Sequence, residues 1–233
     1  MVASQFNLSL PTATAYSLED FAVSGSNAQL FHHIIQWPQW PQSILVLQGA
    51  EASGKTHLAN IWAMQSNATF LKPACVSGDM VQDIVQRKVA NGAYVIDGLS
   101  QVADETALFH LMNAIREQQG WLLLTTTEAP AHLAIGLADL RSRLCAAPLF
   151  ALAPPDDEAL TMVIVKQFTD RQIRVGEEVV QYLLKRMQRS YASARQWVKR
   201  LDEAALTSKS NISVKLVRQL MEEDERKNTP PMF

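Results

Sequence analysis

The stretch Ile44-Leu-Val-Leu-Gln-Gly49-Ala-Glu-Ala-Ser-Gly54-Lys55-Thr56-His-Leu-Ala-Asn-Ile-Trp62 decides how the chain is read. Ile44 to Leu47 are β-branched or aliphatic, as a buried parallel strand requires, and Leu58, Ile61 and Trp62 recur at helical spacing after Thr56. Between these two patterns, Gly49 and Gly54 bracket four residues ahead of Lys55 and Thr56, the G-x-x-x-x-G-K-[ST] spacing of a P-loop. Backbone N–H groups of such a loop and of the first helical turn converge on a phosphate, helped by the positive end of the helix dipole. Ala50, Glu51, Ala52, Ser53 and His57 complete the candidate cradle. The pattern assigns Lys55 to the β- and γ-phosphates and the Thr56 hydroxyl to Mg²⁺.

The 233 residues suit one to two domains with a sizeable core, and 48% hydrophobic content with a net charge of −2 describes an ordinary globular protein. That balance lacks the basic excess of a typical nucleic-acid-binding domain. No apolar run is long enough to span a bilayer and no signal-peptide pattern opens the chain, so a cytoplasmic location is expected. Cys75 and Cys145 form no C-x-x-C pair and are expected to be reduced, buried thiols; the five histidines show no ligand spacing.

Residues 1–16 are rich in Ser, Thr and Ala without charge and read as a flexible leader. Within it, Gln5-Phe6-Asn7-Leu8-Ser9-Leu10 alternates, so an extended peptide would present Phe6, Leu8 and Leu10 to one side. That format fits either docking on a partner or an edge strand of the same domain. Asp20 or Ser26 is expected to cap a first helix through Leu30 and Ile34, which ends before two Trp-Pro pairs that read as buried packing. Beyond the P-loop helix, Thr69-Phe-Leu is a short strand, followed by a helix through Met80 and Ile84.

Tyr94-Val-Ile-Asp97 is an apolar strand ending in an acid, the Walker B arrangement in which a carboxylate helps to hold Mg²⁺. Gly98 follows where hydrolytic P-loop enzymes commonly place a second acid, so weak or absent intrinsic hydrolysis is expected. Asp104 and Glu105 read as caps of the next helix, and Trp121 to Thr127 as a buried strand ending in hydroxyls. Leu137 to Leu144 is a short helix carrying Arg141 and Arg143, and Pro154-Pro155 marks a boundary. Four helical stretches follow, Asp157–Arg171, Glu177–Arg189, Ala192–Leu206 and Val214–Glu223, and the end from Glu222 is expected to be loose. The fold class is therefore α/β, a parallel sheet with helices on both faces followed by a small all-α lid. Its expected divisions are a leader over 1–16, a P-loop domain over 17–153, a lid over 154–223 and a tail over 224–233.

The order of these parts resembles the AAA+ ATPases, and within them the DnaA-related branch of the Hda type. The carriers are Phe21–Asn27, Gly49–Thr56, Leu124-Thr-Thr-Thr-Glu-Ala-Pro130, Leu140-Arg-Ser-Arg143, and Pro154-Pro155 followed by the Leu183-Leu-Lys-Arg186 helix. The resemblance implies ATP or ADP with Mg²⁺ as cofactor, Asn27 near the adenine, Asp97 on the metal and Thr127 at the sensor-1 position. It implies that Arg143 is an arginine finger acting in trans, a guanidinium that stabilises the transferring phosphoryl group by several kcal/mol. The sensor-2 arginine expected early in the third lid helix aligns with Ala192, and Arg195 one turn on is the candidate substitute. Gln5, Phe6, Leu8 and Leu10 are similar to the motif by which Hda-type proteins dock on the β sliding clamp. DnaA is then the second partner. No sequence-specific DNA contact is expected, since the helix-turn-helix domain of the full initiator has no counterpart before the chain stops; self-association is left open. The alternatives are a DNA-bound initiator or helicase-loader relative, and a self-sufficient P-loop NTPase.

Overall fold

The computed structural model describes residues 21–87, 91–208 and 210–228. Five parallel strands, β1 (Ile44–Gly49), β2 (Thr69–Phe70), β3 (Ala93–Asp97), β4 (Trp121–Thr126) and β5 (Leu149–Leu152), form one sheet in the order β2-β3-β4-β1-β5. The two-residue alternation of strands divides their side chains between two cores. Leu45, Leu47, Val95 and Leu123 face α1 (Ala28–Ile35) and α2 (Lys55–Ser66). Val46, Ile96, Leu122 and Leu124 face α3 (Gly78–Arg87), α4 (Glu105–Glu117) and α5 (Ala138–Ala146). Apolar strands buried on both faces are what a parallel sheet demands, which is why β1, β3 and β4 read as continuous apolar runs.

The tryptophans pack as expected. Trp40 stacks on Trp62 with ring centroids 4.9 Å apart, and Trp37 meets both Trp62 and Trp121 edge-on, closing the first core ahead of β1. The fifth strand, β5, was not part of the expected pattern. It lies immediately before the Pro-Pro break, and its first three residues are only partly covered, so its apolar signal is short.

The cysteines depart from expectation. Both are exposed: Cys75 ends a 3-10 turn at the surface, and Cys145 sits beside Leu144 on the wrong side of α5. Leu140 and Leu144, four apart, take the buried stripe of that helix, which turns the residue after Leu144 toward solvent.

The lid consists of α6 (Asp157–Asp170), α7 (Glu177–Leu184), α8 (Tyr191–Ser208) and α9 (Val214–Asn228) around Leu160, Ile164, Phe168, Leu183, Val198 and Leu201. Asp156 caps α6, its carboxylate accepting the Ala159 N–H at 2.8 Å. Helix α7 stops earlier than the Arg189 expected, because the N–H groups of Arg186 and Met187 both donate to the Leu183 carbonyl and tighten its last turn. Helix α9, in contrast, continues through residues expected to be loose. The Arg200 guanidinium grips the Asp224 carboxylate, with Nη2 to Oδ1 at 2.8 Å, and ties α9 to α8. Among the described residues no helix is long and apolar enough to cross a membrane.

Candidate functional site

In a parallel sheet a ligand is received at the strands' C-terminal ends, and the loop after β1 opens there. Gly49 ends β1, and the loop turns through Ala52 at φ 56° and Gly54 at φ 102°. These left-handed residues bend successive N–H groups inward to form a concave nest. Gly54 is also the N-cap of α2 and offers that helix no side-chain acceptor, so the N–H groups of its first residues, Lys55 and Thr56, are left for an outside anion. Ser53 lies buried inside the loop, its hydroxyl without a hydrogen-bond partner among the described residues.

The Lys55 ammonium folds back over the nest and donates to the carbonyls of Gly49 and Ala50, 2.8 Å in each case. Burial lowers its pKa below the ordinary 10.5, and Asp97 and the exposed Glu51 oppose that shift. A phosphate oxygen arriving in the nest would replace two neutral acceptors by a charged one, the stronger partner for an ammonium.

Asp97 is held from two sides. The Thr56 hydroxyl donates to its Oδ2 at 2.8 Å and the Thr125 hydroxyl to its Oδ1 at 2.5 Å, while the Gly98 N–H donates back to Thr125 at 2.9 Å. The Thr56 hydroxyl and the Asp97 carboxylate thus come together at the mouth of the nest, as Mg²⁺ ligation in a P-loop requires. The pair fits the ion, since Mg²⁺ is usually held by one or two protein groups with waters and phosphates completing the octahedron. Among the described residues no group of three or more His, Cys, Asp or Glu could hold a metal.

Thr125, 1% exposed, is the hydroxyl that engages the Walker acid, whereas Thr127 is exposed one residue past the end of β4. The parallel register pairs Asp97 with Thr125, a relation that becomes visible only once β3 and β4 are aligned. Gly98, at φ 102°, has a backbone conformation that costs other residues about 1–2 kcal/mol. Its Cβ would also meet the Gln101 amide at 3.0 Å. Gly98→Ala is therefore expected to lower stability by about 1–2 kcal/mol in a denaturant titration. An unchanged midpoint would show that the turn relaxes without strain.

The lid reaches this site through its third helix. Tyr191, the first residue of α8, lies with Phe21 so close to Gly54 that a Cβ there would meet the two rings at 3.3 and 3.5 Å. Burial raises the Tyr191 pKa, opposed chiefly by a hydrogen bond with Asn27 and also by the Arg195 charge, while Asp156 adds to the rise. The half-buried Arg195 thus belongs to the same seam as Asn27, which is 3% exposed. Asn27 occupies the N-cap position of α1, where Asp20 or Ser26 was expected. Its side chain turns back instead of capping: Oδ1 accepts the Ser24 N–H at 3.0 Å and Nδ2 donates to the Ala22 carbonyl at 2.8 Å. Ser26 instead donates its N–H to Asp156 at 3.3 Å. The Ala159 N–H, above all, keeps that carboxyl below its ordinary pKa. His57 packs edge-on against Phe21. Of the expected caps, Asp104 accepts the Ala107 N–H, but Glu105 accepts the N–H groups of Gly136 and Leu137, bracing the approach to α5.

Arg143 stands elsewhere. It lines a cavity of about 320 Å³ with Gln42, Ser43 and Ile44, at the N-terminal end of β1. Ile44 and Gly49 are five residues apart along an extended strand, about 17 Å, so the guanidinium lies beyond reach of its own P-loop. It rests over the Phe109 ring, with Cζ 4.7 Å from the centroid, and has no acidic partner among the described residues. Gln5, Phe6, Leu8 and Leu10 fall outside the described residues.

The family model described as the Hda lid domain matches residues 156–221. Domain III of the replication initiation protein DnaA from Thermotoga maritima superposes with a TM-score of 0.75 at 19% identity, over 92% of this chain and 98% of that one. AMPPCP-bound DnaA from Aquifex aeolicus gives 0.69 at 16% identity, over 91% and 70%. A Thermotoga maritima RuvB variant gives 0.72 at 18%, over 89% and 72%. At these identities the likeness is one of fold, shared about equally by DnaA and RuvB; the lid separates the two. Residues 156–221 thus match the Hda lid domain, and the chain as a whole has the fold seen in domain III of DnaA.

Proposed function

We propose that the chain is a nucleotide-bound regulator of chromosomal replication initiation that docks on the sliding clamp and stimulates hydrolysis of ATP held by DnaA. The DnaA-like fold with an Hda lid supports a DnaA-related replication regulator. Nucleotide binding is supported by the nest of Gly49 to His57 with Asp97 at its mouth, and by the AMPPCP seen in DnaA structures of the same fold.

The observation that carries the reading is the separation of Arg143 from its own P-loop. A guanidinium with no acidic partner among the described residues, presented at the N-terminal end of β1, serves a nucleotide only on another subunit. Gly98 points the same way, since the position after Asp97 carries no group to orient a water. ATP or ADP, with Mg²⁺ on Thr56 and Asp97, would then hold the P-loop domain and lid together through the Phe21, Asn27, Tyr191 and Arg195 seam.

Phosphate release from ATP tests this directly, measured with the chain alone and then with DnaA, clamp and DNA. Negligible release alone and a rise that needs every partner are expected; brisk release by the isolated chain would make it an ATPase in its own right. Clamp docking has its own test. Leu8→Ala with Leu10→Ala is expected to weaken binding to the purified clamp by tenfold or more, about what two deleted apolar anchors contribute. Unchanged affinity would remove the clamp from the mechanism.

A further inference from the structure

The cavity that Arg143 lines contains a second arginine, Arg116, together with Gln42, Ser43 and Ser142, and no carboxylate. Arg116 lies in the last turn of α4, exposed, and makes no ion pair among the described residues. Two guanidiniums lining one concave site with no carboxylate among the lining residues give it a positive potential, so the cavity favours a polyanion. Its size, about 320 Å³, is that of a small-ligand site. Guanidinium forks match phosphate oxygens two at a time, and hydroxyl and amide groups at the rim supply further donors.

We propose that Arg116 is a second cation of the finger, contacting the phosphates of the nucleotide on the partner subunit beside Arg143. This rests on the trans-acting reading of Arg143 above. A concave pocket with two arginines suits the end of a triphosphate better than a nucleic-acid backbone, which is tracked by an extended basic stripe and by a basic excess that a chain of net charge −2 lacks. Arg116 binds the transferring and neighbouring phosphates, and Phe109 holds Arg143 in line with them.

The test compares Arg116→Ala, Arg116→Lys and Arg143→Ala in phosphate release by DnaA-bound ATP with clamp and DNA present, titrating the full chain. Arg116→Ala is expected to lower the maximal stimulated rate about tenfold while leaving the half-maximal concentration and the melting temperature unchanged, and Arg116→Lys to recover part of the loss. If the wild type stimulates and Arg143→Ala does not, yet Arg116→Ala stays within about twofold of wild type, Arg116 plays no part and the trans-acting reading stands. A raised half-maximal concentration at unchanged rate would make Arg116 a docking residue and overturn the proposal. So would loss of low-salt binding to a DNA duplex in Arg116→Ala at unchanged stimulation, which would assign the cavity to nucleic acid. No stimulation by the wild type removes both readings together.

Discussion

Arg143→Ala is expected to reduce partner-dependent phosphate release about a thousandfold or more, the scale set by arginine fingers supplied in trans. The reason lies in where charge develops. As the γ-phosphoryl group transfers, negative charge spreads over its equatorial oxygens, and a preorganised guanidinium in a water-poor site stabilises it far more than water would. Arg143 is preorganised by Phe109, whose face attracts its cation by about 0.5–1 kcal/mol at an exposed site, and its charge is not already neutralised by an acid among the described residues. The same substitution should leave nucleotide binding by the chain itself intact, because the residue stands at the far end of β1. It should also leave the fold intact, since α5 is anchored by Leu140 and Leu144. The decisive comparison is therefore stimulated release against nucleotide affinity in one preparation. Parallel loss of both would mean that Arg143 acts within its own subunit, or merely supports the fold.

The P-loop was legible because its chemistry is local. Gly49 to Thr56 must be contiguous to form a nest, and the flanking strand and helix announce themselves by period. Asp97 was legible as the end of an apolar run. What could not be read was whatever depends on register or on which end of the sheet a residue occupies. Thr125 meets Asp97 because the parallel pairing sets those two positions side by side. Arg143 and the P-loop are separated by the length of β1, a distance invisible in the spacing of 88 positions between Lys55 and Arg143. Tyr191, just before the anomalous Ala192, gave no signal of its own; it matters because α8 begins against Gly54. The exposed cysteines failed for a simpler reason: average burial of a residue type carries no information about helix phase. Helix α9 outlasted its expected end because of one long-range pair, Arg200 with Asp224, that charge composition alone marks as solvated.

Lys55→Ala is expected to weaken ADP binding about 30- to 150-fold, the equivalent of about 2–3 kcal/mol for a hydrogen-bonded ion contact to phosphate. Stability should change little. The Ala50 carbonyl released by the substitution is exposed, where water can replace the ammonium, and the donor lost by the buried Gly49 carbonyl is offset by removal of a charge that burial disfavours. The pH dependence separates this role from a structural one. Burial depresses the Lys55 pKa in the free folded chain below 10.5, so the protonated form is the disfavoured one there, and fold stability from this group rises as pH climbs through the lowered value toward 10.5. Phosphate in the nest favours the protonated form and raises the pKa again. Binding therefore takes up a proton in the interval between the two values: affinity should be flat at neutral pH and fall as pH rises through the depressed pKa. In Lys55→Ala that alkaline fall should vanish, leaving a weak affinity with no such slope. Calorimetric titration of ADP across this range in both proteins measures it. An alkaline fall that persists in Lys55→Ala would assign the proton to another group, and an affinity equal to wild type would place the phosphates outside the loop.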